Sequence, residues 1–305
     1  MLDPAGPAAH AAAALWWGML AFATLVLVVI VALWVHALRR PPPPYDAHTA
    51  RRIGRRWIVG GGLILPAASI AVLLAFGIPA GHRMLPLPPP GGAALTIEVI
   101  GHQWWWEVRY PAAGVVTANQ LVLPVGQPVD VRVTSADVIH SFWVPRLAGK
   151  IDMLPGRVNV VRLEADHVAT LRGQCAEFCG AQHARMVLAV AAVGPDRFAA
   201  WLAARRDAPP PAAPGHSAAI AAFRPYCGKC HRVAGVSEGR GGPDLTDVGA
   251  RPSLGAGALP HAPGALHQWL REHQRLKPGN AMPSHDRLAQ DTRDAIADWL
   301  ETLAP

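Results

Sequence analysis

Two stretches of this chain, residues 15–38 and 57–80, contain no Asp, Glu, Lys or Arg. Each has 24 residues, so as a helix it would be about 36 Å long, enough to cross a hydrocarbon core of about 30 Å. A soluble core seldom holds two charge-free helices of that length, so the first part of the chain reads as a pair of membrane helices. Gly60, Gly61, Gly62 and Pro66 would weaken a helix in water but are tolerated in lipid, where the backbone must bond to itself. Trp16, Trp17, Trp34 and Trp57 lie near the ends of the runs, as interfacial aromatics do. Arg39, Arg40, Arg51, Arg52, Arg55 and Arg56 lie between them. By the positive-inside rule that loop is cytoplasmic, and both termini and everything after residue 80 are extracytoplasmic. The opening residues lack the basic segment of a secretory leader, and the first apolar run is long for one.

The Arg cluster also explains the charge. The chain carries +7, which invites a nucleic-acid reading. Residues 1–91 hold +5 of it, residues 92–206 +2 and residues 217–305 only +1. A basic excess placed by membrane topology needs no nucleic acid. Charged residues are 16% of the chain, below the usual quarter or so, as a membrane protein requires.

From about residue 93 the texture changes. Short β-branched or aromatic runs at residues 94–100, 104–110, 120–123, 129–134 and 158–163 are punctuated by Gly and Pro. That spacing predicts an antiparallel β-sandwich of about 110 residues. As a strand, the second run would put Trp104 and Trp106 on one face and Trp105 on the other.

Cys175, Cys179, His183 and Met186 follow, with His140 upstream. Thiolates, imidazoles and a thioether are a soft to borderline donor set that suits copper rather than magnesium or calcium. One Cys, two His and a Met would make a mononuclear site, and the second Cys lets two sulfurs bridge a pair of coppers. The bare C-x-x-x-C also reads as an extracellular disulfide, or as a copper chaperone of thioredoxin type. The offsets of His183 and Met186 weigh against both.

Residues 205–216 hold four Pro in twelve residues and read as a semi-rigid tether of about 37 Å if polyproline-like. Beyond it stands Cys227-Gly-Lys-Cys230-His231. C-x-x-C-H is the attachment signature of c-type haem: two thioether bonds, with the adjacent His as axial ligand. Met282 is the only methionine after residue 186 and the expected second axial ligand, since Met/His ligation suits a high potential. His261, His267, His273 and His285 read as solvated surface. Ile296, Trp299, Leu300 and Leu303 recur at helical spacing and should pack on the helix through Phe223 and Tyr226. These assignments occupy all four cysteines.

These motifs resemble subunit II of haem–copper cytochrome c oxidases over residues 1–205. The resemblance rests on the helical pair, Gly101-His-Gln-Trp-Trp-Trp106, Asp137-Val-Ile-His-Ser-Phe-Trp-Val-Pro145, residues 150–157 and the cysteine loop. Residues 217–305 resemble a class I cytochrome c, and the fused pair resembles the caa-type oxidases. The resemblance implies a multidomain membrane protein: a transmembrane hairpin (1–91), an all-β cupredoxin Greek-key sandwich (92–206), a Pro-rich linker (207–216) and an all-α cytochrome c domain (217–305). It implies a binuclear CuA centre held by His140, Cys175, the Glu177 carbonyl, Cys179, His183 and Met186. It further implies a magnesium ion at the Glu177 side chain, shared with subunit I, and admission of electrons at Trp104. Trp105 and Trp106 read as packing.

The implied activity is that of the electron-accepting subunit of a proton-pumping cytochrome c oxidase in a bacterial inner membrane. Electrons from soluble cytochrome c or a similar donor would pass through the chain's own haem c to CuA and on to subunit I, where oxygen is reduced. Subunit III and membrane lipid are the further partners implied. A CuA-type nitric oxide reductase would use the same chain, because the partner subunit decides which gas is reduced. A quinol-oxidase subunit would lack the cysteines and the haem motif. One departure stands out: the family often has a Glu near the start of the second membrane helix, whereas residues 53–82 contain no acid. The usual basis for a part in proton uptake is therefore missing from this stretch, and Asp46 is the nearest acid.

Overall fold

The computed structural model describes residues 3–41, 44–87, 94–207 and 215–304. They fall into two units: His10–Leu85, and Asp3–Ala9 together with the chain from Pro86 onward.

α1 spans Pro7–Arg39, all but its first three residues in the first unit, which also holds α2 Ala47–Val59 and α3 Leu65–Arg83. Both apolar helices exceed the predicted 15–38 and 57–80. α2 begins ten residues before Trp57 because Asp46 caps it, accepting the Thr49 backbone N–H at 3.0 Å. Arg51, Arg52, Arg55 and Arg56 therefore lie on a helix, not in a loop, and only residues 40–46 connect α1 to α2. A π-helical turn, Gly60–Ile64, joins α2 to α3, and the Leu65 N–H bonds the Gly60 carbonyl. Pro66 follows at the head of α3. Proline has no N–H to give to the ordinary ladder, and the wider turn keeps the helix continuous around that gap. Along both spans the large apolar side chains, Leu25, Trp34, Leu63 and Phe76 among them, point outward. That is the inverse of a water-soluble helix and suits lipid.

In the second unit, ten strands form two five-stranded sheets, in the orders β3-β2-β1-β5-β8 and β4-β10-β9-β6-β7. The strands are β1 Leu95–His102, β2 Trp105–Tyr110, β3 Val115–Ala118, β4 Gln120–Pro124, β5 Val129–Ser135, β6 His140–Trp143, β7 Ile151–Met153, β8 Asn159–Leu163, β9 Ala169–Cys175 and β10 Val187–Val193. The sandwich is mixed rather than antiparallel: β1 pairs β5 in parallel, and β4 pairs β10 in parallel. Each of those pairs is separated by a long excursion through other strands, the condition under which parallel pairing can form. Alternate residues of β1 and β5 point inward, so Ile97, Val99, Val129, Val131 and Val133 are fully buried. Residues 3–9 add to this core. Ala5 is fully buried, its N–H donates to the Arg146 carbonyl at 2.8 Å, and its carbonyl accepts the Asp166 N–H at 2.9 Å.

After α4 (Pro195–Arg206) the chain enters the predicted linker, of which residues 208–214 lie outside the described residues. Three helices follow, α5 Ser217–Tyr226, α6 Ala265–Leu276 and α7 Gln290–Glu301, with the two-residue pairs β11–β12 (Arg232–Val233, Ser237–Glu238) and β13–β14 (Ser253–Leu254, Leu259–Pro260). Ile296, Trp299, Leu300 and Leu303 are buried, and the Trp299 ring meets Phe223 of α5 edge-on at 5.0 Å. Burying such a phenylalanine contributes about 1.5–3 kcal/mol.

The helical region and the sandwich pack together. Asp247, nearly enclosed, accepts from Arg205 of α4 at 2.9 Å, from Arg251 at 2.6 Å and from Thr117 of β3 at 3.1 Å. Burial acts to raise the carboxyl's pKa, but Arg251 and Arg205 outweigh it and the net direction is downward.

Candidate metal and haem sites

The loop of residues 176–186 joins β9 to β10, and each flanking strand aims one end at it. β9 delivers Cys175 as its last residue, and β6 delivers His140 as its first. The pairing of Phe142 with Cys175 sets these strands side by side. Cys175 Sγ lies 3.8 Å from His140 Nδ1 and 3.7 Å from Cys179 Sγ. Cys179 Sγ lies 3.7 Å from His183 Nδ1 and 3.9 Å from Met186 Sδ. The Glu177 carbonyl oxygen stands 3.2 Å from Cys175 Sγ. The structure thus gathers His140, Cys175, Glu177, Cys179, His183 and Met186 in one place. Both cysteines are free and buried, so no disulfide occupies the loop.

The surroundings fit a copper site. The second ring nitrogen of His140, Nε2, meets Asp137 Oδ1 at 2.8 Å, which leaves Nδ1 facing the sulfurs. Such a carboxylate behind a ligating imidazole fixes its tautomer and ring angle. Burial acts to lower the His140 pKa, but Cys175 and Asp137 outweigh it and the net direction is upward. Gly101 gives the ring room: a Cβ there would lie 2.9 Å from His140 Cδ2. The hydrogen bond from Cys179, then that from His140, brings the Cys175 thiol down to about 3. The resulting anion drives the Cys179 thiol upward. A bound cation would favour ionisation of both sulfurs. Asp137 and Gly101 stand in the quoted motifs, but their tasks are visible only in three dimensions.

Trp104 belongs to the turn before β2, not to the strand. Its indole Nε1–H donates to the Cys179 carbonyl at 2.9 Å, and Gln103 Nε2 donates to the same oxygen at 2.7 Å. Gly180, at φ +114°, sits under the indole, where a Cβ would come within 3.0 Å of it. Trp106 is fully buried and Trp105 stacks on His102 at 4.1 Å, as packing residues do. The Glu177 carboxylate is half-exposed, 4.0 Å from the Lys150 ammonium.

In the helical region one apolar cavity is lined by Cys227, Cys230, His231 and Met282 together with Phe223, Leu254, Trp269 and Leu270. His231 follows Cys227 by one turn, its N–H donating to the Cys227 carbonyl at 2.9 Å. Its Nδ1 donates to the Pro243 carbonyl at 2.8 Å, which leaves the Nε2 lone pair available to a metal. Burial lowers the His231 pKa, which favours the neutral ring. Gly242 lies against that ring, where a Cβ would meet Cε1 at 2.7 Å. The Met282 backbone is held at both ends: its N–H donates to Asn280 Oδ1 at 3.0 Å, and Gln274 Nε2 donates to its carbonyl at 2.6 Å. The donor set, apolar lining and fixed tautomer suit a covalent haem.

The other histidines are not free surface. His273 is buried, with one ring nitrogen 3.2 Å from the Met282 carbonyl. His261 lies against Glu301, and His267 bridges Asp294 and Asp298. His285 is half-buried on the cavity wall. Each has found an acid or carbonyl partner, or a wall position, that spacing does not reveal. Gln103 and Trp104 line that same cavity from the sandwich side.

A cupredoxin-like sandwich carrying a sulfur–imidazole loop, fused to a cytochrome c-type helical domain behind two membrane-length helices, defines a membrane-anchored redox protein. Residues 112–193 match the family described as cytochrome c oxidase subunit II, periplasmic domain, and residues 218–304 match cytochrome c. The chain is 32% identical over 321 residues to cytochrome c oxidase subunit 2 of Alkalihalophilus pseudofirmus, across 99% of this chain and 90% of the relative. It is 34% identical over 222 residues to that of Bacillus sp. strain PS3, across 68% of this chain and 62% of the relative. The solved periplasmic domain of subunit II of cytochrome oxidase from Bradyrhizobium japonicum is 35% identical, with a TM-score of 0.36, covering 37% of this chain and 94% of that domain. The chain belongs to the cytochrome c oxidase subunit 2 family, in a form that carries a cytochrome c domain.

Proposed function

We propose that this chain is the electron-accepting subunit of a proton-pumping cytochrome c oxidase, built from an anchor (1–91), a CuA cupredoxin domain (92–206), a linker (207–216) and a haem c domain (217–305). His140, Cys175, the Glu177 carbonyl, Cys179, His183 and Met186 hold a copper pair. Cys227 and Cys230 would attach the haem, and His231 and Met282 would ligate its iron. When bound, these groups supply reversible one-electron chemistry. Cys175 and Cys179 would supply two sulfurs to the copper pair, a donor set suited to electron transfer with little reorganisation. Asp137 orients His140, and Pro243 orients His231. The C-terminal domain takes electrons from a soluble donor, Trp104 lies on the way to the sandwich, and subunit I receives them and reduces oxygen. Subunit III and lipid complete the assembly, and the half-exposed Glu177 carboxylate is available to a magnesium ion shared with subunit I. The Arg cluster on the cytoplasmic side, and residues 3–9 packed on the sandwich, support extracytoplasmic termini and redox domains.

One observation carries this reading: the wall of the haem cavity includes Trp104, whose indole is bonded to the Cys179 carbonyl. Metal and haem analysis of the purified full chain tests it. Two coppers and one covalent haem per polypeptide are expected, and Cys175→Ser should abolish the near-infrared copper absorbance while sparing the haem spectrum. A chain whose cysteines are cross-linked, with neither metal nor porphyrin, would refute it.

A further inference from the structure

Lys277 is buried, although lysine is almost never fully enclosed without a partner. Its partners are three backbone carbonyls: Trp104 at 2.6 Å, Gly255 at 2.7 Å and Arg185 at 3.0 Å. No carboxylate is among the described contacts of its ammonium. Gly255 belongs to the C-terminal domain, whereas Trp104 and Arg185 belong to the sandwich, so two of the three bonds cross between domains. Arg185 lies between His183 and Met186 on the loop, and Trp104 is the residue whose indole grips the Cys179 carbonyl.

The neighbours of Lys277 return the clasp. Arg185 Nη1 donates to the Leu276 carbonyl at 2.7 Å, and Gln182 Nε2 donates to the Pro278 carbonyl at 2.8 Å. Close by, the Val187 N–H donates to the Ala256 carbonyl at 3.0 Å. Residues 276–278 are thus bonded from both sides to the segment that holds His183 and Met186. The same lysine forms part of the wall of the haem cavity.

We propose that Lys277 is a positioning residue for electron transfer within the chain. Its ammonium holds the rim of the haem cavity against Trp104 and the copper loop, so that the two domains exchange electrons while docked rather than after a diffusive encounter on the tether. This rests on the proposed function for the identity of the two centres, but the docking itself does not. Three N–H donors facing three carbonyls are what an ammonium supplies and a methyl-terminated chain does not. Burial draws the Lys277 pKa down to about 7, with Arg185 adding to the effect and Cys179 opposing it. The charged and neutral forms both retain N–H donors for the crossing bonds. Lys277 and Gly279 of the C-terminal domain lie against Trp104, so in the docked arrangement an external donor delivers to the haem domain.

The test uses the full-length, metal-loaded chain in detergent. Lys277→Met keeps the length of the side chain and removes every donor. Amide hydrogen exchange at Val187, whose N–H crosses the interface, should quicken by about tenfold or more, the factor worth one charge-assisted hydrogen bond. Exchange at Val131, deep in the sandwich, should not change. After flash photoreduction of the haem, transfer to copper should slow by a similar factor, with both absorption spectra unaltered. Unchanged exchange at Val187 together with an unchanged transfer rate would overturn the proposal. Should Lys277→Met not fold, Lys277→Gln, which keeps two donors on a shorter chain, is read in the same way with a smaller increase expected. In the unmodified chain, transfer should be independent of solvent viscosity, and a rate falling in proportion to viscosity would overturn docked transfer. A chain lacking copper or haem would defeat the proposed function yet leave the exchange experiment readable.

Discussion

Asp247→Asn isolates what burial does to an ion pair. The carboxylate is 5% exposed and lies between Arg205 (9% exposed) at 2.9 Å and Arg251 (4% exposed) at 2.6 Å. Thr117 gives a further bond at 3.1 Å. The asparagine has the same shape, but its amide group presents donors to guanidinium donors, and two buried cations lose their counter-charge. Removing one partner of a buried pair costs about 3–5 kcal/mol. The assay is urea unfolding of the full chain in detergent at neutral pH, followed by haem absorbance and tryptophan fluorescence. Asp207→Asn is the control: it breaks a pair of similar length, 2.8 Å to Arg206, with both side chains more than half exposed, and should leave the transition in place because water screens it. The pH dependence has a definite sign. The folded-state pKa of Asp247 lies below its unfolded value near 3.8. Its contribution is therefore complete above about pH 4 and fades as the pH falls through the folded pKa. The gap between wild type and Asp247→Asn should close over that acid range. A variant within about 1 kcal/mol of wild type at neutral pH, or a gap that persists unchanged in acid, would refute the reasoning.

Two further outcomes are expected. Met282→Ala should lower the haem midpoint potential and leave the copper absorbance intact, since loss of a thioether ligand removes the feature that raises the potential; redox titration of the full chain reads both at once. Gly101→Ala should displace the His140 ring, because the new Cβ would lie 2.9 Å from it. Copper occupancy should fall while the haem spectrum stays put, and full copper loading would show that the ring can move aside at no cost.

The site was more legible than its scaffold. Ligand chemistry is written in residue types and short offsets, so the loop from Cys175 to Met186 and the C-x-x-C-H run declare themselves. His140 stands in the same quoted motif as Asp137, and the fold sets it beside Cys175. β3, β6, β7, β9 and β10 fall outside the runs that read as strands, and β9 and β10 show why. β10 reads Val-Leu-Ala-Val-Ala-Ala-Val and β9 contains Gly173 and Arg172, and neither has strong β propensity of its own. They are strands because β10 lies between β4 and β9 and both its edges are paired. The parallel pairs escaped for a similar reason, since pairing direction is a property of the whole topology. Lys277 and Asp247 each look like one more surface charge, and their burial is visible only in three dimensions.

The segment Asp3–Ala9 has a consequence for biogenesis. Ala5 fills a place in a core whose other members are synthesised some ninety or more residues later, and it is tied there by bonds to Arg146 and Asp166. Completing the sandwich therefore closes a ring of polypeptide that contains both apolar helices. The entropic cost of closing so large a ring grows only with the logarithm of its size, but the order of events is constrained. Residues 3–9, made before either apolar run, must already be on the sandwich's side of the bilayer and waiting when its strands assemble.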